Sequence, residues 1–440
     1  MLSGKRTFIG FGFGAIQSGL FLYEAFNSGE FNRLVVAEVN PEIVKTIRQA
    51  NACFFVNIAH KDHIEITQIG PIEIYDPSDK VDCNHLIEAV AEASEIATAV
   101  PSIEFYASNK PGSIHSILAN GLCEKINNGG SSAVIYTAEN NNHAAEILKS
   151  CVFESIPENL HQRVQEKAQF LNTVIGKMSQ VVNCQDEIYY HQLKTITQDC
   201  SSAFLVESFN RILISKIDLR YPFERGISVF EEKKEDLFPF EEAKLYGHNA
   251  IHALMGYIGS FMGIPLIKDL ADVPGIIPFA RAAFIEESGK ALIKKYQGID
   301  VLFTASGYKE YADDLIERMV NPFLADTIER VTRDTYRKLA WNDRLIGTMR
   351  IALSHGIQPF RFAFGTAAAI IQTGSSFLKD ENAAKGLLDP IWKDASPEKN
   401  MKEMVIDLII HARDQLINWR KSGFPDLEIY IKQFLALKEI

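Results

Sequence analysis

The sequence has no apolar run approaching the roughly 18 residues that a membrane span requires. Its N-terminal segment passes into a strand-like run without the cleavage site of a secretory signal. The six cysteines form no C-x-x-C pair and no zinc-finger spacing, and all lie in the first half of the chain: Cys53, Cys83, Cys123, Cys151, Cys184 and Cys200. We therefore expect a cytoplasmic protein with reduced thiols and no structural zinc.

Positive charge is also scarce: the chain has 45 Lys and Arg residues against 56 Asp and Glu residues, which gives a net charge of -11. A surface of that sign repels nucleic acid and anionic lipid, so we expect neither as a partner. An anionic small-molecule substrate would need a local basic pocket. The 47% hydrophobic and 23% charged residues are typical of a globular chain, and 440 residues suit two domains in a monomer or dimer.

The first half alternates short β-branched runs with amphipathic helical segments, which indicates an α/β domain with a mostly parallel sheet. The predicted strands are residues 7–10, 34–39, 64–69 and 133–137, and the predicted helices are residues 41–50 and 85–97. Two later runs, residues 180–182 and 203–206, are predicted to extend the same sheet.

Helical periodicity dominates the second half, which indicates a mostly α-helical C-terminal domain. The predicted helices are residues 241–261, 277–296, 308–320, 324–339 and 401–422. We place the domain boundary near residue 235, within the charged, proline-containing stretch 231–239. The predicted domains are therefore residues 1–235 and 236–440.

The first predicted strand ends in a glycine-rich turn. Gly12 and Gly14 fit the opening of a G-x-G-x-x-G loop, in which the first glycine permits a tight turn and the second lets the backbone approach a pyrophosphate. Gln17 stands where the third glycine is usual, and Gly19 is a candidate for close helix–strand packing instead. Glu38 closes the second strand and can accept both hydrogen bonds of a ribose diol, which favours NAD over NADP. The alternative for Glu38 is a solvated acid at a strand end.

Residues 244–252 carry the most informative polar pattern in the chain. On a regular α-helix, at about 100° per residue, Lys244, Asn249 and His252 share one arc. A desolvated lysine with a lowered pKa can serve as a general base near neutral pH, while an amide and an imidazole can donate hydrogen bonds to a developing oxyanion. The pattern predicts catalysis without a metal, and a solvated helix face is the alternative.

His248 and His252 also come close to the H-E-x-x-H pattern of zinc peptidases. Asn249 occupies the position of the glutamate base and cannot take a proton, and no obvious third ligand follows in the sequence. A zinc hydrolase is therefore only a distant alternative, and we expect no metal site.

With these residues, the sequence resembles the polyol-specific long-chain dehydrogenases, the mannitol dehydrogenase family. The K-x4-N-x2-H spacing of Lys244, Asn249 and His252 matches the family's catalytic signature. Further matching blocks are residues 11–14, 37–40, 98–100, 139–140, 286–289, 292–296, 321–324, 337–339 and 343–346. Gln17 and Pro101 depart from the family pattern, in which glycine is usual at both positions.

The resemblance implies a Rossmann-type domain before a helical catalytic domain, zinc-free chemistry, NAD as the cofactor and a polyol-type substrate. It implies Lys244 as the general base, with Asn249 and His252 stabilising the oxyanion. The cofactor-binding residues that it implies, together with the glycine turn, are Gly12, Gly14, Glu38, Asn40, Thr98 and Asn140.

A group of arginines bears on whether the substrate is phosphorylated. They fall at offsets of 0, 3, 7 and 14 residues, so one continuous helix would place them on a single face: Arg330, Arg333, Arg337 and Arg344. Guanidinium groups bind phosphate oxygens bidentately, so Arg337, Lys338 and Arg344 are the predicted substrate-binding residues. Residues 337–339 also resemble the sugar-phosphate branch of the family more than its free-polyol branch, and this resemblance favours a hexitol phosphate and its keto-sugar phosphate. The alternatives are a solvated charged face, a free polyol or hexuronate as substrate, and a non-catalytic NAD-binding protein.

Overall fold

The structure is a computed structural model and describes residues 6–108, 112–233, 236–324, 326–374 and 376–436. The chain divides into two compact units, Met1–Phe238 and Pro239–Ile440. The predicted fold class, an α/β half with a mostly parallel sheet followed by a mostly helical half, is confirmed. The domain boundary predicted at residue 235 lies outside the described residues.

The first unit combines strands and helices. Its strands are β1 (Thr7–Phe11), β2 (Arg33–Ala37), β3 (Phe54–Ala59), β4 (Ile64–Ile69), β5 (Glu73–Tyr75), β6 (Glu95–Thr98), β7 (Ala133–Thr137), β8 (Ala168–Val174), β9 (Ser179–Val182), β10 (Ala203–Glu207), β11 (Leu213–Ile214) and β12 (Glu231–Glu232). Its helices are α1 (Tyr23–Ser28), α2 (Pro41–Gln49), α3 (Lys80–Glu92), α4 (Ile114–Asn127), α5 (Ala144–Ser155), α6 (Glu158–Lys167) and α7 (Gln185–Tyr190). A wide helical turn, Gln17–Leu22, precedes α1.

Eight strands form the main sheet, in the order β12-β11-β8-β7-β6-β1-β2-β5. The six strands from β8 to β5 run parallel, and β1 and β7 are buried at every position because both faces of the sheet are covered. Numbered along the chain, these six lie in the order 3-2-1-4-5-6, which is the order of a doubly wound dinucleotide-binding sheet. The order reverses beside β1, so the loops after β1 and β6 lie where such sheets bind ligands.

Four other strands form a separate sheet, in the order β4-β3-β10-β9. The predicted strands at residues 64–69, 180–182 and 203–206 are confirmed as strands, but the prediction that the last two extend the main sheet is wrong. The alternation of apolar and polar residues along a strand indicates which face of the strand is buried, but it does not determine which strand pairs with it. Phe8 of the main sheet, Phe21 of the intervening helical segment and Phe204 of the second sheet belong to one apolar cluster.

The predicted helix at residues 85–97 is too long at its C-terminal end. Helix α3 stops at Glu92, because Ala93 takes a ψ of 138°, and β6 begins at Glu95. All four residues of β6 are buried between β1 and β7. Burial in the sheet therefore overrides the helical periodicity that continues through this segment.

The second unit is mainly helical among its described residues. Its helices are α8 (Phe238–Ala243), α9 (Asn249–Met262), α10 (Ile276–Ala282), α11 (Lys290–Lys295), α12 (Ala305–Met319), α13 (Ile328–Thr332), α14 (Thr335–Lys338), α15 (Ile346–Ser354), α16 (Phe360–Gln372), α17 (Ala383–Trp392), α18 (Lys399–Lys421) and α19 (Leu427–Ala436). Wide π-helical turns, Lys244–His248 and Ala283–Gly289, join α8 to α9 and α10 to α11. Within the described part of the chain, no helix has both the length and the apolarity to cross a membrane.

The predicted helix at residues 324–339 is wrong, because this stretch forms two short helices, α13 and α14. Arg333 leaves the helical conformation with a ψ of 157°, and Asp334 adopts a left-handed one with a φ of 56°. Asp tolerates that conformation better than most residues, since its short side chain can bond locally. The arginines therefore do not stack along one continuous helix.

Candidate active site

The glycine turn lies at the carboxyl end of β1. Gly12 has a φ of +91°, and a Cβ on it would lie 2.8 Å from the carbonyl oxygen of Ala99 in the loop after β6. A side chain at residue 12 would therefore be strained and would collide with that loop. At Gly14, outside its own turn, no described atom lies within 4 Å of the position of a Cβ. The turn thus leaves open space beside the backbone, as a pyrophosphate needs.

Gln17 replaces the third glycine of the turn without pushing the helix away from the sheet. Its side chain is fully buried and occupies the space that a Cβ on Gly10 would fill, 2.0 Å from the Gln17 Nε2 atom. Gly19 takes over the close approach, because a Cβ there would lie 2.4 Å from Val206 Cγ1 in β10. The predicted packing role of Gly19 is confirmed, although the strand belongs to the second sheet.

Glu38 follows β2 and faces the glycine turn. Its Oε1 atom accepts a hydrogen bond of 2.8 Å from the backbone N–H of Asn40, and the backbone of Phe13 also donates to its carboxylate. Burial raises the pKa of Glu38, and these backbone hydrogen bonds act against that rise. Asn40 itself is the N-cap of α2, accepting a hydrogen bond of 3.1 Å from the N–H of Glu42. The structure thus brings Glu38 to the turn and gives Asn40 a capping contact.

Thr98 and Asn140 lie on either side of a carboxylate that the sequence analysis did not select. Thr98 is fully buried and donates a hydrogen bond of 3.0 Å to Glu139. Glu139 also accepts from the N–H of Val100 at 3.0 Å and from the hydroxyl of Tyr106, and burial raises its pKa. Asn140 follows Glu139 and is exposed. Glu139 therefore ties the loop after β6 to the loop after β7, and in the sequence it was indicated only by its place after a buried strand and by the matching block 139–140.

Lys244, Asn249 and His252 do not lie on a regular α-helix, so that part of the prediction is wrong. Residues 244–248 form a π-helical turn, in which the N–H of Asn249 donates to the carbonyl of Lys244, five residues earlier. On a regular helix the side chains of Lys244 and Asn249 would lie about 140° apart around the axis. The wider π-helical turn between them reduces this angle, so the two side chains point in more similar directions. The three residues remain on one continuous helical segment.

The π-helical turn is held by side chains from elsewhere in the second unit. The carbonyl of Tyr246 accepts hydrogen bonds from the hydroxyls of Ser288, at 2.7 Å, and Thr348, at 3.3 Å. Wide turns leave carbonyl groups without a regular helical partner, and these hydroxyls supply one. Gly247 permits close packing here, because a Cβ on it would lie 2.7 Å from Phe284. The irregular geometry is therefore built into the fold.

Lys244 has one cation, Arg344, and one carboxylate, Glu241, among the groups that shift its pKa. Burial lowers its pKa to about 8, and the guanidinium of Arg344 adds to the effect. Burial likewise lowers the pKa of Lys338 to about 8, with Arg344 and then Arg337 as the next causes. Arg344 thus acts on both lysines. The structure therefore brings the predicted base and the predicted substrate-binding residues into one electrostatic neighbourhood.

The predicted substrate-binding residues differ in how they are engaged. Arg344 donates a hydrogen bond of 2.8 Å from Nε to Asp343, and Lys338, 5% exposed, donates to the carbonyl of Arg333. The Arg337 side chain is 56% exposed and comes no nearer than 3.9 Å to its acidic neighbours. Arg337 is therefore the most accessible of the three cations.

His252 faces a carboxylate that the sequence analysis did not select. Its Nε2 atom lies 2.9 Å from Oδ2 of Asp326, whose side chain is 4% exposed. Arg330 donates to the other oxygen, Oδ1, at 2.7 Å. Burial would raise the pKa of Asp326, but His252 and Arg330 outweigh it and hold that pKa below its usual value. Asp326 lies 74 residues beyond His252, so only its presence in a cationic segment could have indicated it.

The histidine pair of the zinc alternative is not arranged as a metal site among the described residues. The rings of His248 and His252 have centroids 6.5 Å apart, and no third His, Cys, Asp or Glu in the described chain completes a group with them. Burial and nearby cations hold the pKa of His248 well below its usual value.

Comparison with known proteins assigns the two halves of the chain. Residues 6–221 match the sequence model of the mannitol dehydrogenase Rossmann domain, and residues 236–416 match that of the mannitol dehydrogenase C-terminal domain. The chain belongs to the mannitol dehydrogenase family. The glycine turn, Glu38 and the Lys244 helix all lie within the matched ranges, which identifies the chain as an oxidoreductase of this family.

Individual relatives agree with the family assignment. The chain is 25% identical over 400 residues to a mannitol-1-phosphate 5-dehydrogenase of Buchnera aphidicola, covering 90% of this chain and 95% of that one. It is 25% identical over 339 residues to the enzyme of the same name from Bacillus licheniformis, covering 77% and 80% of the two chains.

Two solved dehydrogenase structures share the fold. A substrate-free D-sorbitol dehydrogenase matches with a TM-score of 0.75 at 12% identity, over 96% of this chain and 94% of that one. The Pseudomonas fluorescens mannitol 2-dehydrogenase, in a ternary complex with NAD and D-mannitol, matches with a TM-score of 0.68 at 15% identity, over 99% and 96%. At these identities the likeness is one of fold.

Proposed function

We propose that this chain is an NAD-dependent dehydrogenase that interconverts a hexitol phosphate and a keto-sugar phosphate. The observation that carries the proposal is the shared environment of Lys244, Lys338 and Arg344, in which both lysines have pKa values lowered to about 8. A base of that pKa is effective near neutral pH, and the cations around it suit an anionic substrate. The family assignment and the relatives named for mannitol 1-phosphate support the same reading.

The residues of the first unit fit NAD. The open space beside Gly14 admits a pyrophosphate, and Glu38 offers carboxylate oxygens for a ribose diol and would repel a 2′-phosphate. We expect Asn140, exposed after β7, to contact the cofactor, whereas Thr98 would act through Glu139 to hold the adjacent loop. Bound NAD would supply the hydride acceptor for oxidation of the alcohol.

The residues of the second unit would transfer the proton of the reacting hydroxyl and stabilise the negative charge that develops on its oxygen. The neutral amine of Lys244 takes the proton of the reacting hydroxyl. The side-chain amide of Asn249 donates a hydrogen bond to the oxygen as negative charge develops on it. His252, beside Asp326, is the third polar group of this set. In the reverse direction, the ammonium form of Lys244 returns the proton.

A free polyol or a hexuronate is the second candidate substrate. The observation that favours it is the internal pairing of the cations, since Arg330 contacts Asp326 and Arg344 contacts Asp343. Paired guanidinium groups attract a phosphate less than free ones do. We favour the phosphate because Arg337 is exposed and its ion pairs with Asp334 and Asp343 are long, at 3.9 Å each.

The deciding experiment compares NADH oxidation with fructose 6-phosphate, fructose and tagaturonate. We expect the highest kcat/KM with fructose 6-phosphate, and a selective rise of its KM in Arg337→Ala. An enzyme that prefers fructose or tagaturonate would contradict the phosphate assignment. Absence of turnover with all three substrates would contradict the proposed function. Arg281→Ala, which removes an arginine of α10 that pairs with Asp313, is the matched control and should leave the KM unchanged.

A further inference from the structure

We propose that Asp326 is a positioning residue that holds the imidazole of His252 with its proton on Nε2. The other nitrogen, Nδ1, is then left as a hydrogen-bond acceptor for a substrate hydroxyl. This inference rests on the proposed function and changes the part that His252 plays in it. Asp326 itself makes no contact with the substrate.

The contact between the two side chains sets the position of the proton. Nε2 of His252 lies 2.9 Å from Oδ2 of Asp326, and neither atom has another hydrogen-bond partner in the described parts of the chain. The two atoms do not form an aligned hydrogen bond, and charge attraction is the larger part of the effect of His252 on the Asp326 pKa. A carboxylate oxygen can only accept, and the facing nitrogen must therefore be the one that carries hydrogen.

The carboxylate of Asp326 is fixed from two sides. Arg330 donates to Oδ1 from Nε at 2.7 Å, which turns Oδ2 toward His252. The backbone carbonyl of Asp326 accepts a hydrogen bond of 2.9 Å from the N–H of Ile267. The neighbouring N–H of Ile328 donates to the carbonyl of Pro265 at 2.8 Å. A carboxylate anchored through both its side chain and its backbone can orient an imidazole.

Glycines on α9 bring the two elements close enough for this contact. Gly256 and Gly259 follow His252 by four and seven residues, so the three lie on the same face of the helix. A Cβ on Gly256 would lie 2.6 Å from Val331 Cγ1, and one on Gly259 would lie 2.6 Å from Ile328 Cδ1. The face of α9 that carries His252 is therefore the face against which α13 packs.

This arrangement reassigns the hydrogen bonds at the site. A neutral imidazole has one donor and one acceptor nitrogen, so a proton committed to Nε2 leaves Nδ1 able only to accept. His252 then recognises a hydroxyl group of the substrate instead of donating to the oxyanion. Stabilisation of the oxyanion falls to Asn249.

The first experiment determines directly which ring nitrogen of His252 carries the proton. Nitrogen-15 NMR of the full chain, labelled at histidine, distinguishes protonated from unprotonated ring nitrogens. The signals of His252 are identified by their loss in His252→Gln, and the measurement is made at about pH 9, where ordinary histidines are neutral. A proton on Nε2 supports the inference, and an unprotonated Nε2 overturns it. This test needs neither substrate nor activity.

The second experiment removes the carboxylate. Asp326→Asn keeps an oxygen for Arg330 but can present an amide N–H to Nε2, which favours the opposite tautomer of His252. We expect kcat to fall about 10- to 100-fold, by analogy with metal-bound histidines that lose the carboxylate orienting them, while the KM for NADH is unchanged. Asp326→Glu should restore part of the loss.

The matched control is Asp313→Asn, which breaks another Arg–Asp pair of the second unit, with contacts of 2.5 and 3.0 Å to Arg281. We expect it to leave kcat and the His252 signals unchanged. An equal loss of kcat in this control, or full kcat in Asp326→Asn with the proton still on Nε2, would overturn the inference. Inactivity of the unmodified enzyme toward every sugar would instead contradict the proposed function, and the NMR measurement would still decide the position of the proton.

Discussion

The pH dependence of catalysis tests the assignment of Lys244 most directly. Burial and Arg344 lower its pKa from 10.5 to about 8. A shift of this size corresponds to about 3 kcal/mol in favour of the neutral amine. Oxidation of the alcohol needs that neutral form as the base, and reduction of the ketone needs the protonated form as the acid.

The lowered pKa fixes the direction of both profiles. Below pH 8, kcat for oxidation should rise about tenfold per pH unit, or about 50-fold between pH 6 and pH 8, and then level off. The rate of reduction should fall as the pH rises through the same pKa. A lysine with its ordinary pKa would leave the oxidation rate rising beyond about pH 10.

Initial rates of NADH formation and consumption, at saturating substrate between about pH 6 and pH 10, provide the assay. Lys244→Ala should lower kcat by about 10²- to 10⁴-fold and remove this ionisation from the profile. Lys290→Ala, at an exposed position of α11, is the control and should keep the unmodified profile. A profile without an ionisation between about pH 7 and pH 9, or the same ionisation in Lys244→Ala, would refute the reasoning.

Two further predictions concern the first unit. Glu38→Ala removes the carboxylate that would repel a 2′-phosphate, so the ratio of kcat/KM for NAD to that for NADP should fall at least about tenfold; an unchanged ratio would exclude Glu38 from ribose recognition. Gln17→Met should raise the free energy of unfolding by about 1 kcal/mol, because neither amide atom of the buried Gln17 has a hydrogen-bond partner among the described residues. Urea unfolding measures this change, with the exposed Gln162→Met as the control, and a loss of stability at Gln17 would contradict the explanation.

Much of the fold followed from local patterns in the sequence. Alternating strands and helices predicted the parallel sheet, and its strand order places the glycine turn of Gly12 and Gly14 beside the reversal. The pairing of β10 with β3 was not predictable, because the residues of a strand do not specify its neighbour. The break at Asp334 was also missed, since a single left-handed residue leaves the surrounding periodicity intact.

The candidate site was predictable where its residues are close in sequence. Lys244, Asn249 and His252 lie within nine residues, so their spacing alone suggested a shared direction. Asp326 and Glu139 were missed because each acts through a contact formed only in the folded chain, Asp326 with His252 and Glu139 with Thr98. Such partners carry no periodic signal.

The π-helical turn at Lys244–His248 limits how this segment of the chain can change in length. Removing one residue from it would restore regular helix and leave Lys244 four residues before Asn249, with the two side chains still only about 40° apart around the axis. The hydroxyls of Ser288 and Thr348, which now bond the carbonyl of Tyr246, would lose their acceptor in the same event. A deletion among these five positions would therefore remove the contacts that hold the turn, even where every polar side chain of the site is retained.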